Sequence, residues 1–267
     1  MSLPRVQLFE LEDLAWFPRV IRDYATDYLQ FIEHALRLHR PVMPLLRDLL
    51  ERSGSERIVD LCSGGSGPLQ AVVRELRESG LEVQVLLTDK YPNLDAFKRA
   101  QALSGGSIGF LAESVDARDV PPDLPGIRTL FNSFHHFTPD DARAIIRGAV
   151  SARQPIAVFE IPERTLSVVL STLLAPFMVL LATPFIRPFR WGRLLYTYLL
   201  PLVPLTCLWD GVVSQLRAYT PDELDRFAED VSTEYAWDSG KVAVGGLPAR
   251  LTYLIGHPQT RLPSGVE

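Results

Sequence analysis

From residue 55 to residue 161 short apolar runs alternate with segments whose apolar residues recur every three to four positions, and this alternation leaves few architectures open. Arg57–Leu61 has the apolar character of a buried strand and runs into a glycine-rich turn; Leu69–Ser79 then follows at helical period. The pattern repeats, with strands predicted at Val83–Thr88, Gly109–Ser114, Thr129–Ser133 and Ile156–Glu160. Helices are predicted at Leu94–Ala102 and at Pro139–Val150, the latter opened by a proline and two acids where a helix N-terminus favours them. Strands joined by crossovers of this kind pair in parallel, so an α/β sheet is expected.

The flanks extend this frame. Residues 13–53 show helical periodicity broken at Pro41 and Pro44, giving two or three helices. Thr220-Pro221-Asp222-Glu223 has the form of a capping box with proline at its first helical position, and Glu234–Val244 and Leu251–Gly256 have the character of two closing strands. The prediction is one Rossmann-like domain over residues 1–267, with a mostly parallel seven-stranded sheet and helices on both faces. Residues 1–53 form a helical lid, 55–161 the cofactor-binding core, 162–219 an apolar helical insertion, and 220–267 the C-terminal helix and closing strands. At 267 residues and 47% hydrophobic content the chain can bury a sizeable core.

Charge and cysteine content narrow the function. Lys and Arg number 27 against 32 Asp and Glu, a net charge of -5 that disfavours general nucleic-acid binding. Two cysteines, Cys62 and Cys207, support neither a disulfide framework nor a zinc cluster and fit a reducing compartment. Acids among the apolar residues of the first 18 positions argue against an export signal, so a cytoplasmic location is expected.

The glycine loop Asp60-Leu61-Cys62-Ser63-Gly64-Gly65-Ser66-Gly67 lies at the carboxyl end of the first strand, where glycines let the backbone approach a ligand. Its spacing fails the Gly-x-Gly-x-x-Gly that admits a dinucleotide pyrophosphate. Asp89 ends the second strand 22 residues beyond Gly67, as expected of a carboxylate that chelates a ribose diol, and Asp116 follows the third strand. Each acid taken singly is equally a cap or turn residue.

With three acids at successive strand ends, residues 55–161 resemble the class I S-adenosylmethionine-dependent methyltransferases. The resemblance implies S-adenosylmethionine as cofactor, with the glycine loop at its methionine portion, Asp89 at the ribose and Asp116 at the adenine amine. The implied cofactor contacts are Asp60, Cys62, Gly64, Gly65, Gly67, Asp89, Asp116, Ala117 and Ser133. Cys62 and Ser66 depart from the family pattern, occupying its first and third glycine positions.

His135 and His136 follow the fourth strand, on the edge where such sheets bind ligands, and are the candidate catalytic residues. A base is needed only for a nucleophile that must lose a proton, and the alternative is that these histidines merely fill the layer between sheet and cap. The pair has no third ligand nearby in sequence, so no metal is expected. Glu160 and Arg164 on the same rim, and Tyr24 on the N-terminal helix, are candidate substrate contacts; a solvated charged turn explains the first two equally well. Trp16 is assigned to hydrophobic packing, and Asp210 and Arg217 either face the cleft or serve as cap and surface pair.

Leu166–Ile186 holds 21 residues without a charge and Leu194–Trp209 another 16, with Arg187, Arg190 and Arg193 between. Prolines interrupt both stretches, and a spanning hairpin would strand the arginines on the far side, against the positive-inside tendency. The insertion is therefore expected as a buried cap, a greasy lid over the sheet or a peripheral membrane contact at residues 166–209. The function expected is methyl transfer to a small, apolar or amphiphilic acceptor. The alternative is a non-catalytic membrane-associated or partner-binding module that retains the sheet.

Overall fold

A computed structural model describes residues 2–245 and 249–259. Five parallel strands, β1 (Arg57–Asp60), β2 (Gln84–Leu87), β3 (Ile108–Phe110), β4 (Ile127–Phe131) and β5 (Ile156–Glu160), are joined by β6 (Tyr235–Ala243) and β7 (Arg250–Pro258) in the order β3-β2-β1-β4-β5-β7-β6. β7 runs antiparallel to both β5 and β6, as a hairpin requires. The part of the C-terminal assignment beyond residue 259 lies outside the described residues.

Burial on both sides explains the strand sequences. Ile58 of β1 faces one core with Leu46 and Leu49 of α2 (Val42–Ser53), Leu69 and Leu76 of α3 (Leu69–Glu78) and Phe97 of α4 (Leu94–Leu103). Val59, its neighbour, faces the opposite core with Ile145 and Ile146 of α5 (Pro139–Ser151) and Leu224 and Phe227 of α10 (Pro221–Val231). Alternate residues of one strand thus serve two helical layers, which is why these strands carry unbroken apolar runs. Pro44 does not end a helix as expected: it falls in the first turn of α2, where the missing amide hydrogen costs nothing. The capping box opens α10 as predicted, Thr220 and Glu223 each accepting from the other's backbone.

The insertion forms α6 (Leu166–Thr172), α7 (Ala175–Ala182), α8 (Trp191–Leu194) and α9 (Leu202–Arg217). A third core lies apart from the sheet: Ile21, Tyr24 and Tyr28 of α1 (Arg19–Ala35) pack against Val179 and Ala182 of α7 and Val203 and Cys207 of α9. The insertion and the N-terminal helix therefore fold against each other. Trp16 does not pack as expected; it is 72% exposed, and the adjacent Phe17 fills the core instead. Among the described residues no single helix is long and apolar enough to cross a membrane; two bent pairs there, kinked by 43° and 73°, have the combined length and composition.

Candidate active site

The strand order reverses between β1 and β4, and the crevice outside their carboxyl ends is where such sheets place ligands. The chain turns there with left-handed backbone at Cys62 (φ 58°), Gly64 (φ 51°), Ser66 (φ 81°) and Gly67 (φ 42°). Two of these angles are held by residues with side chains, so the loop keeps the path that glycines favour despite Cys62 and Ser66. A Cβ at Gly64 or Gly67 would meet nothing within 4 Å, whereas at Gly65 it would overlap the Gln30 side chain of α1, which donates to the Gly65 carbonyl. Helix α1 thus rests directly on the glycine loop.

Asp60 is buried and accepts hydrogen bonds from Thr129 Oγ1 at 2.6 Å and Ser63 Oγ at 2.7 Å. Burial pushes its carboxyl up to about 7, against the pull of those two hydroxyls. The same desolvation raises the Cys62 thiol, so Cys62 is no thiolate nucleophile at neutral pH. Asp89 ends β2 and bridges to the loop, accepting from the Gly64 amide at 2.8 Å and the Tyr91 amide at 2.7 Å. Asp116 is clasped by both arms of Arg118, at 2.9 and 2.6 Å, and by Lys90 at 3.1 Å. The Arg118 hydrogen bonds hold its carboxyl well below the usual range. Ala117 beside it is buried. Ser133 lies two residues beyond β4 with its hydroxyl buried beside the Cys62 thiol. Asn132 is tied to α1, donating to Glu33 Oε1 at 2.7 Å while accepting from the Ile161 amide at 2.9 Å. Burial pushes Glu33 up to about 7.

His135 and His136 occupy the turn Phe134–His136 and face different partners. Buried His135 sets Nδ1 2.5 Å from Glu160 Oε2, and Glu160 also accepts from the Phe134 amide at 2.7 Å. Burial alone would raise the Glu160 carboxyl; the His135 imidazole and these hydrogen bonds outweigh it and leave Glu160 below its usual range, ionised. A carboxylate at Nδ1 fixes a proton on that nitrogen and orients the ring so that Nε2 points away from Glu160. That Nε2 stands 3.6 Å from Glu10 Oε1. His136 Nδ1 lies 2.8 Å from Asp13, with Glu10 and Glu12 at 3.7 and 3.8 Å from Nε2. Burial opposes its charge, but the acids prevail and raise it to about 9, so His136 is a cation at neutral pH and has no lone pair to accept a proton.

Sequence reasoning missed the N-terminal segment that completes this cluster. The short turn Leu11–Asp13 is held by Asp210 of α9, whose carboxylate accepts from the Leu11 amide at 2.6 Å and the Glu12 amide at 3.3 Å. Arg217, seven residues on, pairs with Asp13 at 2.7 Å and Glu10 at 3.3 Å and donates to the carbonyls of His135 at 3.2 Å and His136 at 2.5 Å. The i, i+7 spacing of Asp210 and Arg217 was the visible signal; Glu10 and Asp13, more than 120 residues from the histidines, gave none. Glu10, His135 and His136 bring one potential ligand atom each within 4.8 Å, a grouping made by the fold and not by the local sequence, but His136 as a cation has no lone pair to offer a metal. Arg217 already supplies Glu10 with a cation.

The three candidate substrate contacts are separated. Glu160 belongs to His135. Arg164 is buried and committed to Glu223 at 2.5 Å. Tyr24 is buried in the α1–α7–α9 core, its hydroxyl against Gly192. An apolar groove of about 410 Å³ borders the cluster, lined by Phe9, Leu11, Phe17, Leu202, Leu205 and Trp209 among others, and Leu11 sits in the very turn that presents Asp13 to His136.

No protein-family profile and no curated protein sequence matches the chain. Among solved structures, TnmH is 18% identical with a TM-score of 0.54 over 93% of this chain and 61% of that one. The S-adenosylmethionine-dependent methyltransferase SibL is 14% identical with a TM-score of 0.51, again over 93% and 61%. An O-methyltransferase family protein from Burkholderia thailandensis is 17% identical with a TM-score of 0.48, over 85% and 58%. The chain spans about three fifths of the length of these proteins. At such identities the likeness is one of fold, and it agrees with the β3-β2-β1-β4-β5-β7-β6 order: this chain is built on the fold of the class I S-adenosylmethionine-dependent methyltransferases.

Proposed function

We propose that this protein transfers the methyl group of S-adenosylmethionine to a small apolar or amphiphilic acceptor. The observation that carries the reading is the buried His135–Glu160 pair on the same sheet edge as the glycine loop, Asp89 and Asp116. The open sides of Gly64 and Gly67 and the buried Ser133 hydroxyl fit the cofactor's methionine portion, with Asp60 and Cys62 shaping the loop beneath. Asp89 would hold the ribose, and Asp116 with Ala117 the adenine. Gln30 and Glu33 close the lid over the loop and exclude water.

Bound S-adenosylmethionine supplies an electrophilic methyl group on its sulfonium. The protein's task is then to align the acceptor in line with that methyl and to take its proton. Glu160 fixes the His135 tautomer so that Nε2 receives the proton of an acceptor hydroxyl, and the charge of Glu160 stabilises the imidazolium that results. Glu10 stands at that nitrogen, so the acceptor enters by displacing the Glu10 carboxylate. His136, already protonated, keeps the turn anchored to Asp13. The groove from Phe9 to Trp209 offers an apolar acceptor a berth beside the histidines, and its volume suits one small molecule or one hydrocarbon tail. Such an acceptor places the enzyme in the cytoplasm against the inner face of a membrane, in peripheral contact through residues 166–209.

Calorimetry with S-adenosylmethionine and S-adenosylhomocysteine tests the reading. The wild-type chain is expected to bind at micromolar concentrations and Asp89→Ala to bind at least about tenfold more weakly, the loss of a charge-assisted hydrogen-bonded pair. Equal binding by Asp89→Ala refutes the ribose assignment. No binding by the wild type refutes the enzyme and favours the non-catalytic module.

A further inference from the structure

The helices of the insertion are apolar on both sides. α7 buries Val179 and Ala182 against α1 and α9, yet Phe177 and Leu181 on its outer side are 64% and 67% exposed. Leu166 and Leu170 on α6 and, beyond the 43° bend, Leu174, Phe177, Leu181 and Phe185 recur every three to four residues, so each segment carries exposed apolar side chains along its outer side. On α9, Leu202, Leu205 and Trp209 continue the apolar surface at the same spacing, while Val203 and Cys207 turn inward. A helix that is apolar all round ordinarily lies inside a protein, and a contiguous exposed apolar surface rimmed by polar groups marks a binding face.

Charge identifies what covers it. Residues 166–209 contain three arginines and no acid; with -5 for the whole chain, +3 here leaves -8 on the remainder. Arg193 is buried against Asp27, which also stands 3.9 Å from Arg190, so among the described residues Arg187 is the arginine of this segment without a carboxylate partner, four positions from Trp191, which is 78% exposed and packs edge-on against Phe189 at 5.1 Å. An anionic lipid surface attracts Arg187, accepts the tryptophan at headgroup level and takes up the leucine and phenylalanine side chains.

We propose that the outer face of α6, α7 and α9 lies in the interface of an anionic lipid bilayer, with Arg187 at the headgroups. The inference gives a partner to the membrane contact of the proposed function but stands on this surface alone, and vesicle binding is read without methyl donor or acceptor. The groove between Phe9 and Trp209 shares Leu202, Leu205 and Trp209 with that face, so a lipid-embedded amphiphile would reach the histidines without crossing water.

Flotation of the full chain with vesicles of phosphatidylcholine, alone or mixed with phosphatidylglycerol, tests the proposal. Binding to the mixed vesicles is expected to exceed binding to phosphatidylcholine and to weaken with salt. Leu181→Glu should reduce it about tenfold or more, and Arg187→Ala about fivefold, with far-ultraviolet circular dichroism unchanged for both because these side chains project outward. A chain that ignores mixed vesicles overturns the proposal, as does Leu181→Glu binding like the wild type. A dimer in light scattering that Leu181→Glu dissociates, with no vesicle binding, assigns the face to a second copy and equally overturns it. Loss of S-adenosylmethionine binding with vesicle binding intact would refute the proposed function alone.

Discussion

The His136 site makes a quantitative prediction that needs no knowledge of the acceptor. Its imidazolium is raised from 6.5 to about 9 by Glu10, Asp13 and Glu12, which outweigh the cost of burial. A group whose folded value exceeds its unfolded value contributes stability that is fully present below the unfolded value and disappears as pH rises through the folded one. At about 1.4 kcal/mol per tenfold change in proton affinity, the rise corresponds to about 3 kcal/mol, lost between about pH 6.5 and pH 9. The side chain is only 22% exposed, so solvent screening does not remove most of this. Asp60, Glu33 and Asp210 also titrate near 7 in the fold, and their raised carboxyls lower stability as pH climbs towards that value. A comparison cancels them: His136→Asn retains a donor for Asp13 but cannot titrate. Urea denaturation followed by circular dichroism from pH 6 to pH 9.5 should show the wild type more stable at the acid end. That advantage should shrink by about 3 kcal/mol at the alkaline end. Parallel curves, or an advantage that grows with pH, would refute the charged assignment of His136 and the ionic clamp drawn from it.

Two further substitutions probe the crevice. Glu160→Gln keeps an acceptor for the Phe134 amide but presents an amide donor to His135 Nδ1, reversing the tautomer; release of S-adenosylhomocysteine should fall by about 10²- to 10⁴-fold with cofactor binding little changed. An unchanged rate would remove His135 as base. Gly65→Ala drives a Cβ into the Gln30 amide and should cost about 1 to 3 kcal/mol in urea denaturation, with Gln30→Ala recovering much of it in the double variant. Independent, additive effects would show that α1 does not rest on the loop.

The sheet was legible in the sequence because its physics is local. Strands buried on both faces must be apolar throughout, and the helices between them must repeat every three to four residues, so the elements from Arg57 to Glu160 could be placed within a few residues. Asp60, Asp89 and Asp116 stood out for the same reason, since strand ends can be located once the strands are. The site's chemistry was not legible, because it is made across the chain. Both histidines were equivalent as sequence; Glu160 beneath one and Asp13 beside the other make the first a buried partner of a carboxylate and the second a cation. Arg164 and Glu160 sit four residues apart, yet one serves α10 and the other the histidine turn, a division that depends on packing. The insertion shows the same limit: its composition disclosed an apolar segment, but which half of that surface meets α1 and which stays exposed was decided only when α1, α7 and α9 closed their own core. Local sequence sets what each segment can bury, whereas the pKa of a side chain and the exposure of a face are set by neighbours brought from far along the chain.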